Sequence, residues 1–271
     1  MSDLPASIDY QAIVACVREG GQLALESWRE DAKPDARIWE KAKGHMVCDA
    51  DLAVDTFLQA RLADILPDAG WLSEETADDA ARLNCDYVWL VDPIDGTRDY
   101  IRGRAGWCVS VALVYKGSPI FAVMYAPATD QLWTAKPGQG AYCNDAPLTA
   151  SSQSAYGGAR IPLDPDAKIE KLVIVEKPNS IAMRMAMVAC DRADMVISLR
   201  WGSEWDIAAA HLIAAEAGAA VTDGLGGGLR YNKAKPMDFG VLCCAADIHD
   251  EIVGRMRIHA DRILKETPDA P

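Results

Sequence analysis

The chain of 271 residues is long enough to bury a large core, as one big domain or as two closely packed halves. Half of its residues are hydrophobic and a quarter are charged, the balance of an ordinary soluble globular protein. A formal net charge of -13 argues against nucleic acid and anionic membrane as general partners, because both demand a basic face.

The first residues, Met1-Ser-Asp-Leu-Pro5, carry no basic region followed by an apolar stretch, and no apolar run approaches bilayer length, so a cytoplasmic location is expected. Residues 7–30 place Ile13, Val14, Val17, Leu25 and Trp28 at near-helical spacing, with Ser7 or Asp9 as cap. The polar stretch Glu40-Lys-Ala-Lys-Gly-His45 reads as a mobile loop or a hairpin. A second helix is expected over 49–66, with Leu52, Phe57, Leu58, Leu62 and Ile65 as its apolar stripe and Pro67 beyond it. From 87 to 143 the text is strand-like, with segments at 107–115, 120–125, 131–134 and 141–143; the short turns between them predict an antiparallel meander. Residues 150–158 are linker-like and mark a domain boundary, giving an N-terminal α+β domain over 1–150 and a C-terminal α/β domain over 151–271. Beyond it strands at 172–175, 195–199 and 219–222 alternate with helices at 180–190 and 206–217, and a strand at 239–244 and a helix at 247–264 close the chain. Eight cysteines lie scattered in apolar contexts without a Cys-x-x-Cys pair and read as buried free thiols rather than as disulfides or zinc ligands.

The most informative segment is Val88-Trp-Leu-Val-Asp-Pro-Ile-Asp-Gly-Thr97. A buried strand carries Asp92 to its end, Pro93 stops the ladder, and Gly96 opens a turn closed to other residues. A turn at the proline can bring Asp92 and Asp95 around one cation, with the Ile94 carbonyl between them, or can be an ordinary acidic turn; hard divalent ions take such oxygen ligands. A helical turn starting at Thr97 would offer its free N–H groups to a phosphate, and the Thr97 hydroxyl can orient a water. Two further acidic clusters, Leu72-Ser-Glu-Glu75 and Gly202-Ser-Glu-Trp-Asp206, are each unremarkable alone: the first as solvated surface, the second as a helix cap. A strongly acidic protein is ill suited to a phosphate ester unless these acids hold cations that invert the local field.

Together, in order, spacing and flanking residues, the three clusters resemble the inositol monophosphatase superfamily over nearly the whole chain. Trp89-Leu-Val-Asp-Pro-Ile-Asp-Gly-Thr97 resembles its first signature, Trp205-Asp-Ile-Ala-Ala-Ala with Glu216-Ala-Gly218 its second, and Leu72-Ser-Glu-Glu75 its glutamate motif. The resemblance implies a layered αβαβα sandwich with an N-terminal antiparallel sheet plus helices and a C-terminal mixed α/β half. It implies a Mg²⁺-dependent, Li⁺-sensitive phosphatase with two or three ions. Glu74, Asp92 and the Ile94 carbonyl would hold one ion, and Asp92, Asp95 and Asp206 a second; a third would lie near Glu74. Glu74 and Thr97 would orient and deprotonate the attacking water, and the amides of Gly96 and Thr97 would bind the phosphate. Asp51 falls where the family places another acid, but the acid usual some residues earlier is replaced around His45-Met46, so Asp51 is carried over weakly, as is Glu75. Haloacid dehalogenase phosphatases share an Asp-Gly-Thr, but their two aspartates stand two positions apart and these stand three.

For the substrate, the chain continues past Thr97 with Arg98-Asp99-Tyr100, where inositol enzymes usually have Thr-Asn-Phe and bacterial 3′(2′),5′-bisphosphate nucleotidases have Lys-Glu-Phe. Glu204-Trp205-Asp206 resembles the nucleotidase form, Arg184 falls near a lysine of that group, and no acid stands near Leu199 to meet inositol hydroxyls. Cations at 98 and 184 suit a second phosphate, so adenosine 3′,5′-bisphosphate is the expected substrate, with Asp206 also touching it. Inositol 1-phosphate, histidinol phosphate and sugar phosphates stay open, as does a non-catalytic phosphate- or partner-binding role. The resemblance allows a monomer or a homodimer. His211, on the helix after Asp206, and the glycines at 224 and 226–228 read as structural.

Overall fold

The computed structural model describes residues 8–42, 45–167 and 171–267. Helix α1 (Tyr10–Ser27) starts where Asp9 accepts the Ala12 N–H at 3.0 Å. Ser7, the other residue expected to cap it, lies outside the described residues, as do Lys43 and Gly44. Strands β1 (Ile38–Ala42) and β2 (His45–Cys48) pair antiparallel, so the lysine-bearing stretch is a hairpin. It feeds α2 (Asp49–Ile65), whose buried face is Val54, Leu58 and Leu62; Leu52, expected in that stripe, is exposed.

The main sheet runs β3 (Gly70–Ser73), β4 (Tyr87–Asp95), β5 (Cys108–Tyr115), β6 (Ser118–Ala126), β7 (Gln131–Ala135), β8 (Ala141–Cys143) and β9 (Ala146–Pro147), in that spatial order, with α3 (Thr97–Ile101) after β4. From β4 onward it is the expected antiparallel meander, but β3 joins parallel to β4, which makes the sheet mixed. Pro93 does not stop the ladder as the sequence suggested. Asp92 pairs with Ser110 and Asp95 with Cys108, so Pro93 and Ile94 form a bulge opposite Val109 and the strand continues.

Strands β10 (Arg160–Pro162) and β11 (Val173–Val175) form a separate parallel pair. Then follow α4 (Ile181–Ala189), β12 (Met195–Ser203), α5 (Glu204–Glu216), β13 (Ala219–Thr222), β14 (Met237–Ala245) and α6 (His249–Glu266). The strand–helix alternation holds, but the crossover through α5 leaves a gap that β14 fills, antiparallel to both β12 and β13.

Five layers result. Period two along β4 sends Trp89 and Val91 against α1 and α2, and Val88 and Leu90 toward α4 and α5. Burial on both faces explains why β4 reads as an unbroken apolar run. Helix α5 lies between the two sheets, and its Ala208, Ala209 and Ala210 are fully buried, because a helix enclosed by two sheets needs small residues on every side. Helix α6 covers the far side of the small sheet through Ile248 and Ile252. The αβαβα sandwich is therefore the observed architecture. The middle core draws residues from both sides of position 150. No helix among the described residues is long and apolar enough to cross a membrane. All eight cysteines are free, five of them buried.

Candidate metal centre

The parallel pairing of β3 with β4 sets Ser73 beside Val91, and the Glu74 N–H donates to the Val91 carbonyl at 3.3 Å. Glu74 thereby arrives next to Asp92, one residue beyond the end of each paired segment. Asp206 enters from the other layer, in the first turn of α5. One carboxylate oxygen from each of Glu74, Asp92 and Asp206 lies within 4.8 Å of the other two. Asp92 is 2% exposed. Burial, then the charges of Glu74, Asp95 and Asp206, push its carboxyl well above the usual range. Asp206 is raised for the same reasons, burial first, then Asp95 and Glu74. Buried like charges are costly, and a divalent cation removes that cost. All three donors are hard carboxylate oxygens without histidine or thiolate, a set that fits Mg²⁺, Mn²⁺ or Ca²⁺ and not zinc.

Asp95 stands apart from this trio. Its Oδ2 accepts the Ser180 hydroxyl at 2.5 Å and the Ala182 N–H at 2.8 Å, so one oxygen holds the start of α4 and the other is left for a ligand. Burial raises its pKa to about 6 against the pull of those bonds. Gly96, at φ 100°, makes the turn into α3; a Cβ there would sit 2.6 Å from the Gly106 carbonyl oxygen.

Asp51 lies close to this turn. The Thr97 hydroxyl is 3.0 Å from the Ile94 carbonyl and 3.4 Å from Asp51 Oδ1. Asp51 Oδ2 accepts the Cys48 N–H at 2.8 Å and the Cys48 thiol at 2.9 Å. Burial carries the Asp51 pKa up to about 7, and Glu75 and Glu74 add to it. The Ile94 carbonyl, expected to face a cation, has one lone pair engaged by Thr97.

Lys41 on β1 reaches across to Glu74 at 3.0 Å and Glu75 at 2.7 Å. Burial alone would lower its pKa, but the two glutamates outweigh it and raise it. Behind them, buried Asp55 accepts the hydroxyls of Ser73 and Thr76 and so fixes the segment that carries Glu74 and Glu75.

Of the substrate-facing residues expected after Thr97, Arg98 is exposed, whereas buried Asp99 accepts the Asn179 N–H at 2.8 Å and the buried Tyr100 hydroxyl donates to the Ala24 carbonyl at 2.8 Å. Arg184, half-buried on α4, donates to the carbonyls of Ser180 and Asn179, both at 3.3 Å. It is the main cation opposing the raised pKa of Asp95. Arg200 plays that part for Asp206. His211 is satisfied by the Tyr231 hydroxyl at 2.8 Å.

Sequence reasoning missed Lys41, Asp55, Arg200 and the role of Glu204. Glu204 is wholly buried and accepts the N–H groups of Asn232 at 2.6 Å and Lys233 at 3.2 Å, fixing the start of α5 just before Asp206. Asp55 was the most accessible of these, since it stands four residues past Asp51 on the same helix face. The others depend on contacts between distant segments and left no local signal.

The sequence model of the Inositol monophosphatase family matches residues 7–260. An inositol monophosphatase of Dictyostelium discoideum is 33% identical over 236 residues, covering 80% of this chain and 85% of its own. The 3′(2′),5′-bisphosphate nucleotidase CysQ of Escherichia coli O157:H7 is 30% identical over 234 residues, covering 82% and 90%. Among solved structures, a Thermotoga maritima IMPase superposes with a TM-score of 0.77 over 92% of this chain and 97% of that one, at 24% identity.

Proposed function

The chain belongs to the inositol monophosphatase family, whose members are phosphoric monoester hydrolases, and from that premise we propose that it hydrolyses a small phosphorylated metabolite with Mg²⁺ held by Glu74, Asp92 and Asp206. The observation that carries this reading is the convergence of those three carboxylates from two layers of the fold. When bound, divalent ions supply positive charge to the phosphate oxygens and to the departing alkoxide.

The remaining chemistry falls to the chain itself. The free oxygen of Asp95 and the second lone pair of the Ile94 carbonyl complete the ligand set, so that two or three ions have donors. Thr97, fixed by its bond to Ile94, orients the attacking water together with Glu74. Asp51, behind Thr97 and with a pKa of about 7, is suited to receive the proton, because a base works best when its pKa lies near the operating pH. Lys41 holds Glu74 and Glu75 while the site is empty of cations. The amides of Gly96 and Thr97 bind the phosphate. In this reading residues 1–150 supply Glu74, Asp92 and Asp95, and residues 151–271 supply Asp206 and the contacts to the rest of the substrate.

Adenosine 3′,5′-bisphosphate is the first substrate reading, favoured by the placing of Arg184 next to Asp95 and by Leu199 where an acid would meet inositol hydroxyls. Inositol 1-phosphate is the second, favoured by the name of the Dictyostelium relative. Phosphate release from both esters, measured across Mg²⁺ concentrations, tests the proposal. Higher kcat/KM for the bisphosphate supports the first reading, and the reverse supports the second. No release from either ester at any Mg²⁺ concentration would leave a binding protein in place of an enzyme.

A further inference from the structure

Glu74 and Asp206 reach the candidate centre from different layers, and apolar packing alone fixes their separation poorly. The buried surface of α5 includes Ala208, Ala209, Ala210 and Ala214, and so smooth a helix offers few ridges to lock its rotation or its position along its axis. Directional bonds at its first turn do this instead. They lead back, through one buried guanidinium, to the strand that carries Glu74.

Arg82 lies in the 3₁₀ turn Ala80–Asn84 between β3 and β4, and its side chain is 1% exposed. It is seated on the start of β3: a Cβ on Gly70 would lie 2.8 Å from the Arg82 Cβ and 3.0 Å from its Cα, so the close approach needs a glycine. The guanidinium forks the Asp78 carboxylate, Nε to Oδ1 at 2.6 Å and Nη2 to Oδ2 at 2.8 Å. Its other bonds cross to a distant part of the chain. Nη1 donates to Asn232 Oδ1 at 2.6 Å and Nη2 to the Lys233 carbonyl at 3.0 Å, while Asn232 Nδ2 donates back to the Arg82 carbonyl at 3.2 Å. Asn232 and Lys233 give their own N–H groups to Glu204, the wholly buried first residue of α5, and Lys233 Nζ pairs with the same carboxylate at 3.2 Å. Lys233 also pairs with Asp238 at 2.6 Å, so the charges of the bridge are matched among themselves without a cation from outside. An unbroken path therefore runs from β3 through Arg82 and Asn232 to Glu204, two residues before Asp206.

We propose that Arg82 is a positioning residue of the candidate metal centre: acting through Asn232 and Glu204, it holds the first turn of α5 in register with the end of β3 and so sets the separation of Asp206 from Glu74. The proposal rests on the reading in which these carboxylates hold divalent cations. Arg82 touches neither carboxylate, and its effect is on how well they are placed before an ion arrives.

Removing the guanidinium leaves buried acceptors unpaired and endangers folding, so the cleaner cut is Asn232→Gly. Asn232 has a φ of 59°, which glycine adopts freely, and the backbone N–H that Glu204 accepts is retained; only the side-chain bonds to Arg82 are lost. Arg82→Lys weakens the same bridge from the other side while keeping the buried charge. The comparison is an α6 core variant, Ile252→Val or Ile252→Ala, chosen to lower Tm by as much as Asn232→Gly does; Ile252 is buried on the far side of the small sheet. Binding of Mn²⁺ alone, followed by electron paramagnetic resonance of the unbound ion, is the readout independent of turnover. The Kd for Mn²⁺ is expected to rise about tenfold in Asn232→Gly, the lower end of what losing a group that orients a metal ligand costs, to rise in Arg82→Lys, and to stay put in the α6 variant. With an ester that the wild type hydrolyses, the Mg²⁺ concentration for half-maximal turnover rises in Asn232→Gly by more than kcat at saturating Mg²⁺ falls. Unchanged Mn²⁺ affinity in both bridge variants, or an equal loss in the α6 variant, would overturn the proposal and leave Arg82 a residue of the fold alone. Wild-type protein that binds no Mn²⁺ would remove the metal-dependent reading and this proposal with it, an outcome visible before any variant is made.

Discussion

At the scale of single residues, the acids that carry the candidate centre are poorly suited to a stable core. Asp92 is fully enclosed, feels the charges of four other carboxylates (Glu74, Asp95, Asp206 and Asp51), and is held far above its ordinary pKa. In the proposed function its charge serves metal binding at the expense of the empty fold. Asp92→Asn removes that charge with little change in volume, so metal-free protein is expected to melt at a higher temperature than wild type. Mg²⁺ affinity and turnover move the other way, turnover falling by more than about a hundredfold, beyond the usual effect of losing a residue that only supports a ligand. Thermal melts in chelator and phosphate release in Mg²⁺ read the two effects separately; a variant both less stable without metal and fully active would refute this account. Asp92 and Asp206 were legible in the sequence because each follows or opens a strongly patterned element. Lys41 was not, because what makes it matter is its distance to Glu74, and nothing near it in the chain encodes that.

At the scale of elements, α2 acts as a strut. It presents Asp51 and Asp55 one turn apart, the first toward Thr97 and the second to the hydroxyls of Ser73 and Thr76 on either side of Glu74 and Glu75. The helix itself was read from the sequence almost to its ends, yet its apolar face was misplaced by counting Leu52 as core. The reason is physical. The first turn of α2 faces a polar site, so acids take the inward positions that a hydrophobic stripe would otherwise occupy. The same site distorted β4, whose bulge at Pro93 and Ile94 keeps pairing alive where proline suggested a stop. Asp55→Ala leaves two hydroxyls without their acceptor and frees the Glu74 segment. It is expected to cost about 1–3 kcal/mol in urea unfolding and to raise the Mg²⁺ concentration needed for half-maximal turnover. Asp55→Asn, which still accepts one of the two bonds, is expected to recover part of both. Lost stability with unchanged Mg²⁺ dependence would make Asp55 a purely structural acid.

At the scale of the whole molecule, Asp206 of the carboxylate trio lies more than a hundred residues beyond Glu74 and Asp92, so the candidate centre exists only when both sheets are packed around α5. Periodicity supplied the elements, and the resemblance supplied their layering. The insertion of β14 between β12 and β13 was not legible, since pairing order across a crossover depends on which edge is left to fill. An assembled centre of buried acids has a consequence for the response of stability to pH. In the folded chain Asp51 has a pKa of about 7 and Asp95 of about 6, both raised by burial, against 3.8 for the ordinary carboxyl. Between those values the folded state holds protons that the unfolded chain has released, so metal-free stability falls as pH rises from about 4 to about 7. Metal binding requires the ionised forms and expels those protons, so its contribution grows over the same interval. The difference in Tm between protein saturated with Mg²⁺ and protein in chelator is therefore expected to widen by at least about 3 °C from pH 5 to pH 8, a shift on the order of 1 kcal/mol for a chain of this size. A difference that stays constant, or narrows as pH rises, would mean that these carboxylates are already ionised in the empty protein and that the cations of the site, Lys41, Arg184 and Arg200, compensate them without a metal.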